Sequence, residues 1–426
     1  MTLPPPPPSP GGLPPPPGTD SVAIELVPAD GRRYDLDALR GSAMLLGIVL
    51  HAAIPFVPYW KEGDAGGGFL YALFEYIHLW RMPLFFLLSG FFTAMLWRRR
   101  GLRALLHHRA RRIVLPLVVL YVPVIVLVVF GFAVGYGLAG IEEDAVDTAD
   151  YSDPNASPQP VEQKAADDSG DPGDEFSWAH MWFLWHLSWL VIAFGLMAPL
   201  VTWIGSQAGR GPPEWLITIA MWSLPVVSLV PFSFMVEEVM GPDTSDGFVP
   251  AGPVIALYAT FFFFGVLAHR ADATTMPIDR FGRWWALHLP ISLVVYLLLL
   301  GGAVPTGWTD PLEVFLAWLV SLAAIGLFRR WVAAPSFAVR WLSDAAYWMY
   351  LLHLPIVVAL QGVVVALGLP AIPGFLATVA VTVAMLVPSY HYLVRYTPLG
   401  RLLNGSRTRD GDIRLRASIS VSRSER

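Results

Sequence analysis

The chain has 426 residues, of which 55% are hydrophobic and only 14% are charged, and its formal net charge is −5. Soluble domains carry about 25% charged residues, so this composition excludes an ordinary soluble protein and indicates a chain whose solvent is lipid. Cysteine is absent. Disulfides, thiolate metal sites and a cysteine nucleophile are therefore excluded.

The two ends of the chain differ in composition from its middle. Residues 1–30 contain two proline runs, which predict a disordered cytoplasmic tail with local polyproline II structure. This stretch lacks the basic flank and apolar run of a signal peptide. Residues 401–426 are arginine-rich and predict a second disordered cytoplasmic tail. Between the tails, residues 31–400 are expected to form one membrane domain.

Ten apolar stretches follow one another along that domain. Each is long enough to cross about 30 Å of hydrocarbon as a helix of roughly 20 residues. They cover residues 36–58, 69–97, 113–139, 179–204, 214–236, 251–269, 284–303, 311–329, 342–368 and 371–395. The connecting loops alternate between arginine-rich and acidic, so the positive-inside rule places both termini in the cytoplasm. The sequence therefore predicts an all-α integral membrane protein with about ten transmembrane helices.

One external connection is long. Residues 141–177 form an acidic stretch with several prolines and glycines. Such a composition cannot bury enough apolar surface to fold alone, so we expect a largely disordered external loop, with a lid over an external mouth as the alternative.

The first span carries polar residues at helical spacing. Asp37, Arg40, Gly47 and His51 are separated by steps of three, four and seven residues, which place them on one stripe. Arg40 and His51 lie eleven residues apart, or ~16 Å along the helix. Ionisable residues within a span are costly, so the stripe indicates a polar track from the cytoplasmic mouth toward the outer leaflet. An interfacial Asp–Arg pair plus a structural histidine is the alternative.

The second span contains Glu75, His78 and Arg81 at successive steps of three. These side chains can form a partly buried charge network on one helical face. Arg81 lies near the membrane centre and needs a partner, for which Glu75 and Asp37 are the candidates. A purely structural ion network is the alternative interpretation.

The same span continues with a proline and a small-residue pair. Pro83 predicts a kink because it removes a backbone hydrogen bond. Ser89 and Gly90 predict a close approach of another helix.

An arginine cluster follows the second span. Seven arginines lie within 15 residues: Arg98, Arg99, Arg100, Arg103, Arg109, Arg111 and Arg112. Guanidinium groups bind phosphates through charge-assisted hydrogen bonds, so a cytoplasmic cofactor with several phosphates, such as coenzyme A, suits this loop. Topology and anionic lipid also favour arginine here.

Two later spans add candidate residues. His180 opens the fourth span at its external end, where it can touch an acceptor. In the ninth span, Asp344, Tyr347, Tyr350 and His353 recur at steps of three and can face one pore. No HExxH motif or other metal-ligand spacing occurs, so no metal site is expected.

Three segments, at residues 33–51, 83–91 and 347–355, together resemble the acyltransferase-3 family of ten-span membrane O-acyltransferases, within which the glucans biosynthesis protein C branch is most similar. The resemblance covers roughly residues 30–400. The family's first-helix motif, arginine and histidine separated by ten residues, is matched by Arg40 and His51. Its Arg-x-x-Arg motif is matched twice, by Arg100 with Arg103 and by Arg109 with Arg112.

This resemblance implies a function. Acyl-coenzyme A would bind from the cytoplasm as a donor substrate, with no permanently bound cofactor, and its acyl group would reach a hydroxyl of an extracytoplasmic carbohydrate or glycolipid. The four motif arginines of the loop would hold the donor phosphates, with Asp37 and Arg40 beside the acyl arm and His51 as general base. Further pore-lining candidates are Glu75, His78, Arg81, Ser89, His180, Tyr350 and His353.

The expected location is the bacterial inner membrane, with the lipid bilayer as partner and no nucleic acid. A covalent acyl-enzyme on Ser89 or a histidine is an alternative to direct transfer. A transporter of a polar substrate, with proton coupling through Glu75, His78 and Arg81, is the second function that the residues allow. A membrane sensor that uses the acidic loop as receptor is the third.

Overall fold

The computed structural model describes residues 33–53, 65–140, 177–207, 213–235, 240–272, 282–332, 334, 336–405 and 407–409. The predicted N-terminal tail, residues 141–176 of the acidic loop and residues 410–426 lie outside these ranges. The described residues form helices and contain no β-strand. The all-α class predicted from composition is therefore confirmed.

In the first half of the chain, the residues that the structure describes form five long helices. They are α1 (Tyr34–Ala53), α2 (Ala65–Arg109), α3 (Leu115–Ala139), α4 (Trp182–Gln207) and α5 (Glu214–Val227). A π-helical turn, Ala110–Val114, joins α2 to α3, and a 3₁₀ turn, Ala179–Met181, precedes α4. One further helical turn, Leu229–Phe232, continues α5.

The described residues of the second half form six helices. They are α6 (Gly252–Asp272), α7 (Trp285–Leu300), α8 (Thr309–Trp331), α9 (Phe337–Ala366), α10 (Ala371–Ser389) and α11 (Pro398–Asn404). A π-helical turn, Tyr390–Val394, follows α10. The short helix α11 crosses residue 400, where the sequence predicted the membrane domain to end.

Apolar length is the feature that makes these helices membrane spans. Within the described residues, eight helical stretches are long and apolar enough to cross a bilayer. One of them, Gly66–Ala139, is 74 residues long and includes the predicted second and third spans. The apolar helix α7 has 16 residues and is shorter than each of these eight stretches. The chain is a multi-pass membrane protein, whereas the count of ten crossings and their orientation stay predictions.

The backbone of α2 leaves helical geometry at Gly101, whereas the kink predicted at Pro83 stays a prediction. Gly101 has φ 78° and ψ 170°, a conformation that glycine adopts without steric cost. Arg109, beyond this break, contacts Thr93 and the backbone of Ser89. A straight helix would separate positions 93 and 109 by ~24 Å, so the chain must double back at Gly101.

The helix that carries the predicted polar track lies inside the bundle, because α1 packs against α2, α8, α9 and α10. Around this centre, α2 packs against α6, and α3 packs against α9. The predicted close approach at Gly90 is confirmed, since a Cβ atom there would overlap the carbonyl of Phe262 on α6. At the periphery, apolar side chains of α3 such as Val118, Val122 and Phe130 are exposed, as lipid contact requires.

Candidate active site

Three histidines from separate parts of the chain meet inside the bundle. The ring centroids of His51 on α1 and His353 on α9 lie 5.0 Å apart. The His180 ring, on the 3₁₀ turn before α4, lies 5.5 Å from that of His353. Residues that are 302 positions apart in sequence are thereby neighbours, and we call these three rings the histidine cluster.

Backbone carbonyls fix the proton positions on two of these rings. Nδ1 of His353 donates to the carbonyl oxygens of Tyr350 and Met349 at 2.7 and 3.2 Å. Nε2 of His180 donates to the carbonyl oxygen of Leu351 at 3.1 Å. In each neutral ring the other nitrogen then carries a lone pair. Nε2 of His353 and Nδ1 of His180 are therefore available as acceptors.

Arg81 joins the histidine cluster from α2. A Cβ atom built on Gly47 of α1 would lie 2.5 Å from Nη1 of Arg81 and 3.9 Å from Nε2 of His353. The absence of a side chain at Gly47 is what lets the guanidinium lie against α1. Arg81 and His51 are both half-buried, so each keeps surface that a substrate can contact.

The predicted partners of Arg81 were wrong. Within the described residues neither Glu75 nor Asp37 forms an ion pair with it: Glu75 accepts a hydrogen bond from the Tyr296 hydroxyl at 3.4 Å, and Asp37 lies 3.8 Å from Arg40. The reason for the first departure is that the Tyr296 hydroxyl and the Met240 N–H, at 3.5 Å, donate hydrogen bonds to that carboxylate. The guanidinium is left without a carboxylate among the residues that the structure describes.

The histidine cluster holds several unsatisfied polar atoms. Within the described ranges, the buried nitrogens without a hydrogen-bond partner include Nδ1 of His51, Nδ1 of His180, Nε2 of His353 and Nε of Arg81. Leaving a buried polar group unpaired costs about 1–3 kcal/mol, so four at one place require an explanation other than stability. A bound substrate with polar atoms would satisfy them.

The turn that carries His180 is strained and held from several sides. Ala179 has φ 45°, a left-handed conformation that costs a non-glycine residue about 1–2 kcal/mol. Its N–H donates to Oγ of Ser177 at 2.9 Å, and the Tyr350 hydroxyl donates to the His180 carbonyl at 2.6 Å. Strain of this kind is found where the surrounding structure positions a functional side chain.

The polar residues at the start of α1 lie apart from the histidine cluster. Nη2 of Arg40 donates to Oγ of Ser343 on α9 at 2.9 Å and lies 3.8 Å from Oδ1 of Asp37. The eleven residues between Arg40 and His51 correspond to ~16 Å along the helix. The predicted track therefore has two separate polar ends.

A basic pocket of about 550 Å³ lies at the junction of α2, α3 and α11. Its charged and titratable lining residues are Arg100, His107, His108, Arg111, Arg112 and Arg401. None of the described residues that line it is acidic. The pocket therefore offers several guanidinium groups at one place, which is the arrangement that binds phosphates.

Two of the four predicted phosphate-binding arginines line this basic pocket, and two do not. Arg100 and Arg112 line it. Arg103 is exposed elsewhere, and Nη2 of Arg109 donates to Oγ1 of Thr93 at 2.8 Å, so its guanidinium turns into the bundle.

Two other predicted candidates, His78 and Ser89, lie on α2 on either side of Arg81. His78 lies one turn before Arg81, and its Nδ1 donates to the carbonyl of Met240 at 3.3 Å. Ser89 lies two helical turns beyond Arg81, ~12 Å away along α2, and its carbonyl accepts from Arg109 at 3.3 Å. Ser89 is thus at the Arg109 end of the helix and not beside the histidine cluster.

Comparison with known proteins identifies the family of the chain. The family model described as the acyltransferase domain, that of the acyltransferase-3 family, matches residues 33–393. The chain belongs to the acyltransferase-3 family. It is accordingly an acyltransferase, and both the histidine cluster and most of the basic pocket lie within the matched residues.

The chain is also similar in sequence to named proteins of this family. The proteins named glucans biosynthesis protein C from Salmonella schwarzengrund (strain CVM19633) and Salmonella typhi are each 24% identical over 349 residues. The same protein from Salmonella typhimurium has the same identity, and each alignment covers 78% of this chain and 83% of the relative. No solved structure matches the chain with significance.

Sequence reasoning missed several residues of the basic pocket in this acyltransferase. His107 and His108 have no place in an arginine motif, and Arg401 belongs to a tail predicted as disordered. Arg111, which also lines the pocket, is part of the predicted arginine cluster. Within the described residues, no group of three or more His, Asp or Glu side chains has the geometry of a metal site.

Proposed function

We propose that this acyltransferase moves an acyl group from cytoplasmic acyl-coenzyme A to a hydroxyl of an extracytoplasmic carbohydrate or glycan, with His51 as general base. The single observation that supports this assignment best is the histidine cluster. It brings a half-buried imidazole, two further histidine lone pairs and a guanidinium with no carboxylate partner among the described residues together in the interior of a membrane acyltransferase.

His51 removes the proton from the acceptor hydroxyl while the hydroxyl oxygen attacks the thioester carbonyl carbon. The C–S bond then breaks, and the coenzyme A thiolate leaves and takes the proton from the His51 imidazolium. A histidine has the basicity to act in both directions near neutral pH. No acyl-enzyme is needed, which agrees with the position of Ser89 outside the histidine cluster.

Two neighbours assist this step. The His353 ring lies 5.0 Å from that of His51, so its bare Nε2 would accept a hydrogen bond from Nδ1–H of His51 and thereby orient the base and stabilise its protonated form. The guanidinium of Arg81 would stabilise the oxyanion that forms on the thioester carbonyl. Both roles use atoms that lack partners among the described residues.

The donor enters from the opposite end of α1. Phosphates of coenzyme A bind in the basic pocket, and the acyl-pantetheine arm passes Asp37 and Arg40 toward His51. The ~16 Å between Arg40 and His51 is a distance that a long flexible arm can span. A soluble acyl-coenzyme A pool on one side and an acceptor on the other would then share one site within the bilayer.

The membrane arrangement completes the proposal. Ten crossings, with both termini in the cytoplasm of a bacterial inner membrane, place the arginines of the basic pocket on the cytoplasmic side. Support comes from the eight spanning stretches, from the two predicted spans inside Gly66–Ala139 and from the apolar helix α7. The names of the relatives concern glucans, so a glucan is the acceptor that we propose to test first.

Mass spectrometry of cell-envelope carbohydrate tests this function. Four strains are compared: wild type, a deletion, His51→Ala and His391→Ala, with the variants expressed at matched levels. His391 is the control because its ring packs on Tyr396 in the turn after α10. We expect an acyl mass shift in the wild-type and His391→Ala strains and its loss in the other two.

Two other outcomes of this experiment would change the proposal. If His51→Ala retains the acyl shift while the deletion loses it, the acyltransferase stands and the base is another residue. If the four strains show no acyl difference, the glycan-acylation proposal is wrong, and flux of a polar substrate into vesicles becomes the next measurement.

A further inference from the structure

The family match ends at residue 393, but the chain continues into the basic pocket. Helix α11 and the residues that follow it contribute Arg401, Leu402 and Gly405 to the lining. We call residues 395–405 together with residue 407 the C-terminal wall. It faces the arginines of the α2–α3 junction, so the pocket is formed jointly by the matched domain and by residues beyond it.

A buried carboxylate anchors the C-terminal wall. Oδ1 of Asp344 on α9 lies 2.8 Å from Nη2 of Arg407, and Oδ2 lies 3.5 Å from Nη1 of Arg395. The backbone carbonyl of Asp344 accepts a hydrogen bond from Nδ2 of Asn404 at 2.6 Å. Asp344 is only 6% exposed and Arg395 only 2%. One residue therefore holds the wall at three points, before, within and after α11.

A second attachment joins the C-terminal wall directly to the pocket arginines. Nη1 of Arg112 donates to the carbonyl oxygens of Arg401 and Leu402 at 3.2 and 3.3 Å. These carbonyls belong to the last turn of α11, where the helix dipole favours a cation. Gly405 has φ 83°, and a Cβ atom there would overlap the guanidinium of Arg112.

The charges of the pocket have a consequence for the ligand. Arg112 is occupied by backbone carbonyls, whereas Arg401 on the C-terminal wall is exposed and faces the same pocket as Arg100 and Arg111. Arginines that converge from two directions without a lining carboxylate suit a ligand with more than one phosphate, because each phosphate accepts bidentate hydrogen bonds.

We propose that the C-terminal wall completes the donor-binding site: Arg401 binds a phosphate of the acyl-coenzyme A donor, and Asp344 is the positioning residue that holds the wall in place. This inference rests on the proposed function for the identity of the donor. It adds a binding residue and a positioning residue that lie outside the family's arginine motifs.

Binding of coenzyme A to the purified full-length chain tests the role of Arg401. The protein is placed in phosphatidylcholine nanodiscs and titrated by calorimetry, with Arg401→Ala compared against Arg409→Ala. Arg409 is an exposed arginine of the same region whose guanidinium lies over the Tyr396 ring, 5.6 Å from its centroid, so it controls for net charge. We expect Kd to rise about tenfold for Arg401→Ala, as for loss of one hydrogen-bonded charge, and to change less than twofold for Arg409→Ala.

The outcomes separate this inference from the proposed function. If wild type binds coenzyme A and Arg401→Ala binds it equally well, the wall has no phosphate-binding role while the donor assignment survives. If wild type does not bind coenzyme A, both fail. A further arm adds phosphatidylglycerol to the nanodiscs: if Arg401→Ala weakens binding of that lipid and leaves the Kd for coenzyme A unchanged, the pocket is a lipid-headgroup site and the inference is wrong.

Kinetics of acyl transfer test the role of Asp344. We expect Asp344→Asn to raise KM for acyl-coenzyme A at least fivefold while kcat stays within twofold of wild type. Arg407→Gln is the second variant, because Arg407 is 20% exposed and its loss breaks one attachment only. It should shift KM in the same direction by a smaller factor. If both variants lower Tm or kcat and leave KM unchanged, the network is structural and the positioning role is refuted.

Discussion

Gly47→Ala should disable the histidine cluster while leaving the fold intact. Gly47 lies in the middle of α1, within a regular helix, so alanine fits the backbone and improves helix propensity by about 1 kcal/mol. The new methyl group, however, would lie 2.5 Å from Nη1 of Arg81. The atom it meets is the end of a flexible side chain, and that side chain will move in preference to the helices.

The distance by which the Arg81 guanidinium must move sets the expected loss of catalytic rate. Non-bonded heavy atoms pack at about 3.5 Å, so the guanidinium of Arg81 must move by ~1 Å. Misplacing a catalytic group by about 1 Å costs on the order of 10²-fold in rate. We therefore expect kcat for acyl transfer to fall about 100-fold, with little change in the KM for acyl-coenzyme A because the basic pocket is remote from Gly47.

Steady-state kinetics and thermal unfolding in detergent measure the two sides of this prediction. Gly137→Ala is the matched control, because Gly137 is a helical glycine of α3 whose Cβ atom would meet no neighbour within 4 Å. It should keep wild-type kcat. Wild-type kcat in Gly47→Ala would refute the role of Arg81 in the reaction. A large loss of Tm would show that the Arg81 side chain cannot move aside without disturbing the fold.

Three further substitutions probe the site and its supports. Arg81→Gln should lower kcat about 10²–10³-fold, as for loss of an oxyanion-stabilising group, and near-normal kcat would exclude that role. Ala179→Gly should relieve the strained turn, so unfolding becomes up to ~1 kcal/mol less favourable while turnover falls several-fold because His180 is held less rigidly; unchanged turnover would show that the strain is incidental. Gly131→Ala should destabilise the chain by about 1–3 kcal/mol, because its Cβ atom would lie 2.5 Å from the Pro355 carbonyl. An unchanged free energy of unfolding in chemical denaturation would contradict this prediction.

Much of the helical framework was predictable because lipid leaves few alternatives for an apolar stretch. Every predicted span overlaps a helix, since backbone groups in hydrocarbon must be satisfied within the segment. The close approach at Gly90 was also predictable from a small residue within an apolar helix. The reversal at Gly101 was not, because glycine tolerates helical and left-handed backbone alike and only tertiary contacts decide between them.

The candidate site was predictable in its residues more than in its geometry. Helical spacing put His51 on the inner face of its helix and Tyr350 with His353 on theirs, and the structure brings these faces together. Spacing could not tell that Glu75 would accept hydrogen bonds from other helices. Nor could it find Arg401, because the contacts that order α11 come from residues as distant as Asp344 and Arg112.

The measurement that tests the central claim most directly is transfer of labelled acetyl from acetyl-coenzyme A to a glucan by the purified protein in nanodiscs. Wild type is compared with His51→Ala, and coenzyme A affinity is measured on both. We predict that His51→Ala binds coenzyme A as wild type does but transfers acetyl at least 10²-fold more slowly, as loss of a general base requires. Equal transfer rates for the two proteins would contradict the assignment of His51 as the base.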